Sequence, residues 1–385
     1  MTSKERMILA MLNKQPDRVP VSPDMSNMIP CRLTGKPFWD IYLYNDPPLW
    51  RAYIEAVKYY GFDGWLPAFG DMEILDDNTF IVCEDLEKII TRKRQIINGE
   101  EIWNNKVVVY PRSNPATCVD ASKVSMGEKP IWYKPIERKR KELTNSEMFQ
   151  EARILMGDRG VVGSSIWIPM ISDPDQIYKY YDEYEYIKNG SLARESQLEQ
   201  VTRDALVNKP DFIFIGYSGG LTFQTPEMFR DIALPSVQII TKIAKESGVP
   251  SQMHCCGRAR ELVQMLAMET DMTNINPLEI PPMGDCDMAE IKSALGDRIG
   301  LMGNLHTSNV MLFGSVERVR LESLRAIRDA GMNGGFILST GDQCGRDTPD
   351  ENIFEMIRVA EEFGVYPLDM NKIEKEIKRV EDKLL

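Results

Sequence analysis

The sequence predicts an α/β fold, a (β/α)8 TIM barrel with a β-rich insertion between strands 2 and 3. Three observations lead there. Eight short apolar, β-rich runs are each followed by a helical pattern, at 19–25, 62–69, 161–169, 212–217, 250–256, 272–279, 299–304 and 335–340. From the fourth run on they recur about every 25 to 40 residues, the length of a strand, a loop and a returning helix. The single long interruption falls between the second and third runs and alternates apolar with polar residues, as antiparallel strands do. We therefore read 1–385 as one barrel domain with 77–150 inserted into it.

Taken in order, the chain opens on a capping box, Thr2 with Glu5, before the helical stripe Met7, Ile8, Met11 and Leu12. In the insertion, FIVCED, KIITRKRQIINGEEIW and KVVVYP alternate, with Asn98-Gly99 as the hairpin turn. Such an insertion is expected over one mouth of the barrel, where loops of this architecture build the site. Thr225-Pro226 and Thr348-Pro349 each offer a capping hydroxyl followed by proline at the first helical position. The last segment places Ile373, Ile377, Val380 and Leu384 at helical spacing, one stripe for packing on the barrel.

Composition narrows the function. A formal charge of −12 disfavours nucleic acid, because phosphate binding needs a concentrated positive field. The one dense basic run, KPIERKRK at 134–141, contains Glu137 and reads as a solvated loop or helix face. No run approaches the roughly 18 apolar residues of a membrane span. The N-terminus lacks the uninterrupted apolar stretch of a signal peptide, and the seven cysteines are an odd number in a chain too large to need staples. A cytoplasmic protein with reduced thiols is the expectation.

The strongest local signal is QMHCCG at 252–257, closing the fifth run. Residues two apart on a strand face one side, so His254 and Cys256 can reach one ion while Cys255 points into the helical shell. Glu279 closes the sixth run in NPLEIPP, and Cys344 follows the eighth in STGDQCGRDTPDEN. All four stand at carboxyl ends of strands, the face on which barrels keep their sites. One imidazole, two thiolates and one carboxylate suit tetrahedral zinc, the carboxylate being the most replaceable ligand. The bland alternative is four unrelated core or rim residues.

On these motifs the chain resembles the uroporphyrinogen-decarboxylase-like superfamily, and within it the corrinoid-dependent methyltransferases, whose zinc motif is His-x-Cys followed far downstream by Cys. His254, Cys256 and Cys344 fall on that pattern. The order His-x-Cys, Glu, Cys is also similar to the zinc site of cobalamin-independent methionine synthase, which brings Glu279 into the set. The resemblance runs from TSKERMILAMLNKQPDRVPV through GLMGNLHTSNVMLFGS to DTPDENI. It departs from uroporphyrinogen decarboxylase itself near the N-terminus: that enzyme has an arginine-rich stretch for substrate carboxylates, whereas SPDMSNMIPCRLTGKP has only Arg32.

The resemblance implies Zn2+ as cofactor and a corrinoid (cobalamin) carried by a partner protein. The chain's two histidines are both otherwise placed, so a cobalamin-binding histidine motif of its own is not expected. The metal could activate a thiol that accepts a methyl, or the oxygen of a methyl ether that loses one. The reading leans to O-demethylation of a small methoxylated aromatic, with Met25, Trp65, Phe69, Trp167, Met170, Tyr217 and Phe223 as a candidate flat apolar pocket. Methylcorrinoid-to-thiol transfer, a decarboxylase-like lyase and a non-enzymatic binding module stay open, as does a homodimer. His306, after Gly303-Asn304-Leu305, could orient substrate or shuttle a proton. Asn304 and Tyr217 are candidate substrate contacts, and Asp342 and Asp347 candidate supporting carboxylates around Cys344.

Overall fold

The computed structural model describes residues 1–25, 27–68, 77–137 and 143–385. Among the described residues five antiparallel strands lie in one compact unit and seven parallel strands in another. In chain order they are β1 (Gly64–Leu66), β2 (Thr79–Glu84), β3 (Lys88–Ile97), β4 (Glu100–Pro111), β5 (Thr117–Asp120) and β6 (Lys134–Pro135). The rest are β7 (Gly160–Ser165), β8 (Phe212–Gly216), β9 (Ser251–His254), β10 (Asn274–Asn276), β11 (Gly300–Leu305) and β12 (Phe336–Thr340).

The larger unit comprises Met1–Asp24, Val57–Ala68 and Ser146–Leu385. Its parallel, curled sheet runs β1-β7-β8-β9-β10-β11-β12, with helices between successive strands. These strands coincide with the second to eighth apolar runs. The first run, 19–25, forms no strand. Pro20 and Pro23 lack amide protons, so it cannot make a continuous ladder. What remains is one parallel bridge, Val21 to Leu338, with Ser22 N donating to Leu338 O (2.9 Å) and Leu338 N to Pro20 O (2.9 Å). On its other side Asp63 N donates to Val21 O (2.9 Å), and Val21 N to Asp63 Oδ2 (2.9 Å).

The core of this unit begins at the N-terminus. Helix Ser3–Met11 has the expected capping box, Thr2 with Glu5. Its Met7, Ala10 and Met11 pack with Trp65 of β1, Val161 of β7, Phe212 of β8, Met302 of β11 and Ile337 of β12. Burial of each large side chain contributes about 1.5–3 kcal/mol. Trp65, expected near a substrate pocket, is instead buried in this core, and its Nε1 donates to Gln252 Oε1 at 2.7 Å. Beside it, Asp63 is fully buried and pairs with Arg6 (2.6 Å) and Arg18 (3.0 Å).

Two helix ends differ from expectation. Thr225 caps helix Pro226–Ile232 by accepting from Met228 N (3.3 Å), as read from sequence. The helix after Thr348-Pro349, however, starts one residue later, at Asp350, with Pro349 in the cap position. In the last helix, Met370–Leu384, Ile373, Ile377 and Val380 are buried, but Leu384, its last residue, is exposed. Among the described residues no helix is long and apolar enough to cross a membrane.

The smaller unit comprises Met25–Ala56 and Phe69–Asn145. Its sheet, in the order β5-β4-β3-β2-β6, is antiparallel throughout. Asn98 (φ 54°) and Gly99 (φ 82°) make the turn between β3 and β4, the left-handed pair that a two-residue hairpin demands. One face packs Phe80, Val82, Ile90, Trp103 and Val107; the other packs Ile81, Ile89 and Tyr110 with Leu43. The basic run is not wholly a loop or helix face: Lys134–Pro135 is strand β6 against β2, while 138–142 lie outside the described residues, as does Phe69.

Candidate functional site

Every nominated metal ligand belongs to the larger unit. His254 is the last residue of β9, held between β8 and β10 in register with Gly216 and Asn276. The strand ends in a fixed turn: Tyr217 N donates to His254 O (2.7 Å) and Cys255 N to Asn276 O (2.8 Å). Cys255 is buried, its thiol near the carbonyls of Cys256 and Arg258. Cys256 is half-buried. Gly257 follows at φ 81°, and a Cβ there would lie 2.2 Å from Thr222 Oγ1, so the position needs glycine. Its amide donates to the Glu279 carboxylate, tying the loop after β9 to the loop after β10.

Cys344 lies fully buried in the loop after β12, where its amide donates to Asp24 O (2.8 Å). Thr340 joins the same corner, accepting from Asp24 N (3.0 Å) and donating to Asp342 O (2.7 Å). Asp342 stands beside His254, its Oδ1 4.0 Å from His254 Nε2. It acts on the other three as well, raising the pKa of Cys256, Glu279 and Cys344.

Burial is the larger cause in each case. Desolvation lifts the Cys344 thiol to about 12, with Asp24 and Asp342 adding to it against the Thr340 hydroxyl. It lifts the Cys256 thiol and the Glu279 carboxyl too, the latter opposed by the Gly257 amide. It lowers the His254 imidazole, against Asp342 and Asn276.

Two observations bear on whether a metal fits. His254 Nδ1 is buried with no hydrogen-bond partner, an imidazole left unsatisfied by the protein. The acids around it are pushed toward neutrality chiefly by burial, a bias that a divalent ion would reverse. The donor chemistry therefore fits zinc. The spacing is looser than a coordination shell: among the described residues no group of three or more His, Cys, Asp or Glu side chains closes to metal-holding distance.

Beside Glu279 a small cavity of about 10 Å³ is lined by Glu279, Ile280, Met283, Asn304, His306, Thr307 and Gly341. Asn304 and His306 thus share a cleft with Glu279. Asn304 Nδ2 donates to Leu278 O (2.9 Å), while His306 caps the helical turn Thr307–Leu312. Tyr217 is not in this cleft. It is fully buried, edge-on to Phe229 and hard against Gly220. Trp167 and Phe223 are exposed, and so is Asp347, which pairs with Arg346 at 2.8 Å. Sequence reasoning missed Asp24 and Asn276. Asp24 stands one residue before the end of the first apolar run, much as Glu279 ends the sixth, and that positional signal could have found it.

The larger unit is thus a parallel, curled α/β sheet with His254, Glu279, Asn304 and Cys344 at or just beyond the carboxyl ends of its strands. Residues 211–363 match the family model described as uroporphyrinogen decarboxylase (URO-D). The uroporphyrinogen decarboxylase of Trichodesmium erythraeum is 28% identical over 154 residues, 40% of this chain and 40% of that protein. That of Psychromonas ingrahamii is 36% identical over 66 residues, 17% of this chain and 18% of the other. The chain thus matches two fifths or less of the length of these relatives. A methyltransferase from Methanosarcina mazei has a similar fold, with a TM-score of 0.64 at 14% identity over 94% of this chain and 99% of that one.

Proposed function

We propose that the protein is a zinc-dependent methyltransferase that moves a methyl group between a small methylated substrate and the cobalt of a corrinoid protein. The observation that carries this reading is that His254, Cys256, Glu279 and Cys344 all stand at or just beyond strand ends of one sheet, with the Asp342 carboxylate 4.0 Å from His254 and acting on the other three. These four side chains would hold the ion. Zinc bound there would supply Lewis acidity at the atom that gains or loses the methyl. A corrinoid on a partner protein would supply the other end of the transfer. The fold of the Methanosarcina mazei methyltransferase is compatible with this assignment.

The chain's own residues then have distinct tasks. Glu279, tied to the Gly257 amide, is the ligand most readily exchanged for substrate. Asn304 and His306, across the cleft from it, meet the substrate. Tyr217 has a packing role, setting the wall behind Cys255. Exposed Trp167, Phe223 and Met283, in the loops after β7, β8 and β10, offer apolar surface around the mouth for a docked protein. The hydrogen bonds of 20–22 to both β12 and Asp63 support reading the sheet as a closed (β/α)8 barrel, with 77–150 inserted into it.

The test is the reaction itself. Purified protein with zinc, a corrinoid protein reduced to cob(I) and a methoxylated aromatic should yield methylcobalt and the free phenol. Methylcobalt consumed only with an added thiol would favour thiol methylation. Product from a carboxylated tetrapyrrole with no transfer in either direction would replace the proposal with a lyase.

A further inference from the structure

His306 sits at the entrance to the helical turn Thr307–Leu312, and its Nδ1 accepts two hydrogen bonds, from Ser308 N (3.1 Å) and Asn309 N (3.1 Å). An imidazole nitrogen that accepts carries no proton, so with both bonds made the ring is neutral and its proton lies on Nε2. The same ring lines the cleft with Glu279 and Asn304. No described residue accepts from its Nε2. The cleft's free volume of about 10 Å³ is roughly that of one oxygen-sized group.

From this geometry we infer that His306 is a fixed Nε2–H donor to a substrate oxygen, and not a proton shuttle. A shuttle must exchange its proton, whereas the capping bonds lock this tautomer. The inference rests on the methyltransferase reading only in taking the cleft as the substrate site, and it narrows that reading to a substrate with a hard oxygen acceptor, such as an alkoxy or phenolic oxygen. A thioether sulfur, larger and a weaker acceptor, gains little from this donor. Neutral imidazole acting as an electrophile is an established use of such a locked ring.

The chain has only two histidines, so the imidazole nitrogens are directly assignable. Long-range 1H–15N correlation on the full chain at pH 7.5 should show His306 in the Nε2–H form. Saturating 2-methoxyphenol should move its Nε2 resonance, and thioanisole should not. The variant H306N keeps a capping oxygen and should keep the unfolding temperature, while binding 2-methoxyphenol about tenfold more weakly, the loss of one good hydrogen bond. An Nδ1–H or doubly protonated His306 would overturn the assignment, as would unchanged His306 resonances with saturating 2-methoxyphenol, or equal binding by H306N. None of these readouts needs zinc, corrinoid or turnover, so a failed methyl-transfer assay leaves them separately decidable.

Discussion

His254 Nε2 stands 4.0 Å from Asp342 Oδ1, too far for a hydrogen bond and close enough for strong electrostatic coupling in a buried site. Asp342 also raises the pKa of Cys256, Glu279 and Cys344, so one carboxylate couples all four proposed ligands. Without a cation that arrangement is repulsive; with one it is a supporting charge. Asp342→Asn should therefore raise the unfolding temperature of the metal-free protein and weaken zinc binding by about 10-fold or more. Calorimetry on the chelated protein and competition with a zinc indicator check both signs.

Gly257 is the hinge on which Cys256 and Glu279 meet. Gly257→Ala places a Cβ 2.2 Å from Thr222 Oγ1 at a φ of 81°, so the turn must shift and the amide bond to Glu279 is lost. A destabilisation of about 1–3 kcal/mol is expected in urea unfolding, with zinc affinity falling alongside it. Unchanged affinity would show that this turn does not position Glu279.

Asp63 joins the first segment to β1: it receives Val21 N (2.9 Å) and pairs with Arg6 (2.6 Å) and Arg18 (3.0 Å) while fully buried. Asp63→Ala leaves buried Arg6 with only Asp17 and the Met1 carbonyl. The cost should be about 3–5 kcal/mol in equilibrium unfolding. A loss under about 1 kcal/mol would mean that the segment is held by its bonds to β12 alone.

Acid stability follows from Glu376. Its contacts with Arg379 and Arg320 outweigh desolvation and bring its carboxyl from 4.5 down to about 2. A depressed carboxyl stabilises above its unfolded value, so this contribution is intact above about pH 4.5 and disappears as pH falls toward 2. It is worth about 2 kcal/mol after screening. Glu376→Gln should flatten the fall in unfolding free energy across that window, as measured by urea titration at stepped pH.

Much of this arrangement was legible in the sequence, and the exceptions have physical causes. Apolar runs followed by helical patterns located the seven parallel strands, because a strand buried on both faces must be apolar. The first run was harder, since Pro20 and Pro23 leave it able to make only a single bridge. Positions at strand ends located Glu279, Asn304 and His306 in one cleft. Tyr217, one residue beyond its strand, turned into the shell because its amide follows the His254 carbonyl. Asn276 depends on which side chains meet across strands distant in sequence, and spacing alone does not encode that.

The most direct measurement is the zinc content of freshly prepared, reduced protein, by elemental analysis, beside His254→Ala and Cys344→Ala. The account predicts one zinc per chain in the wild type, loss from both variants, and unfolding temperatures that fall on chelation in the wild type alone. Wild-type protein that stays metal-free when offered zinc under reducing conditions, or variants that retain full zinc, would contradict it.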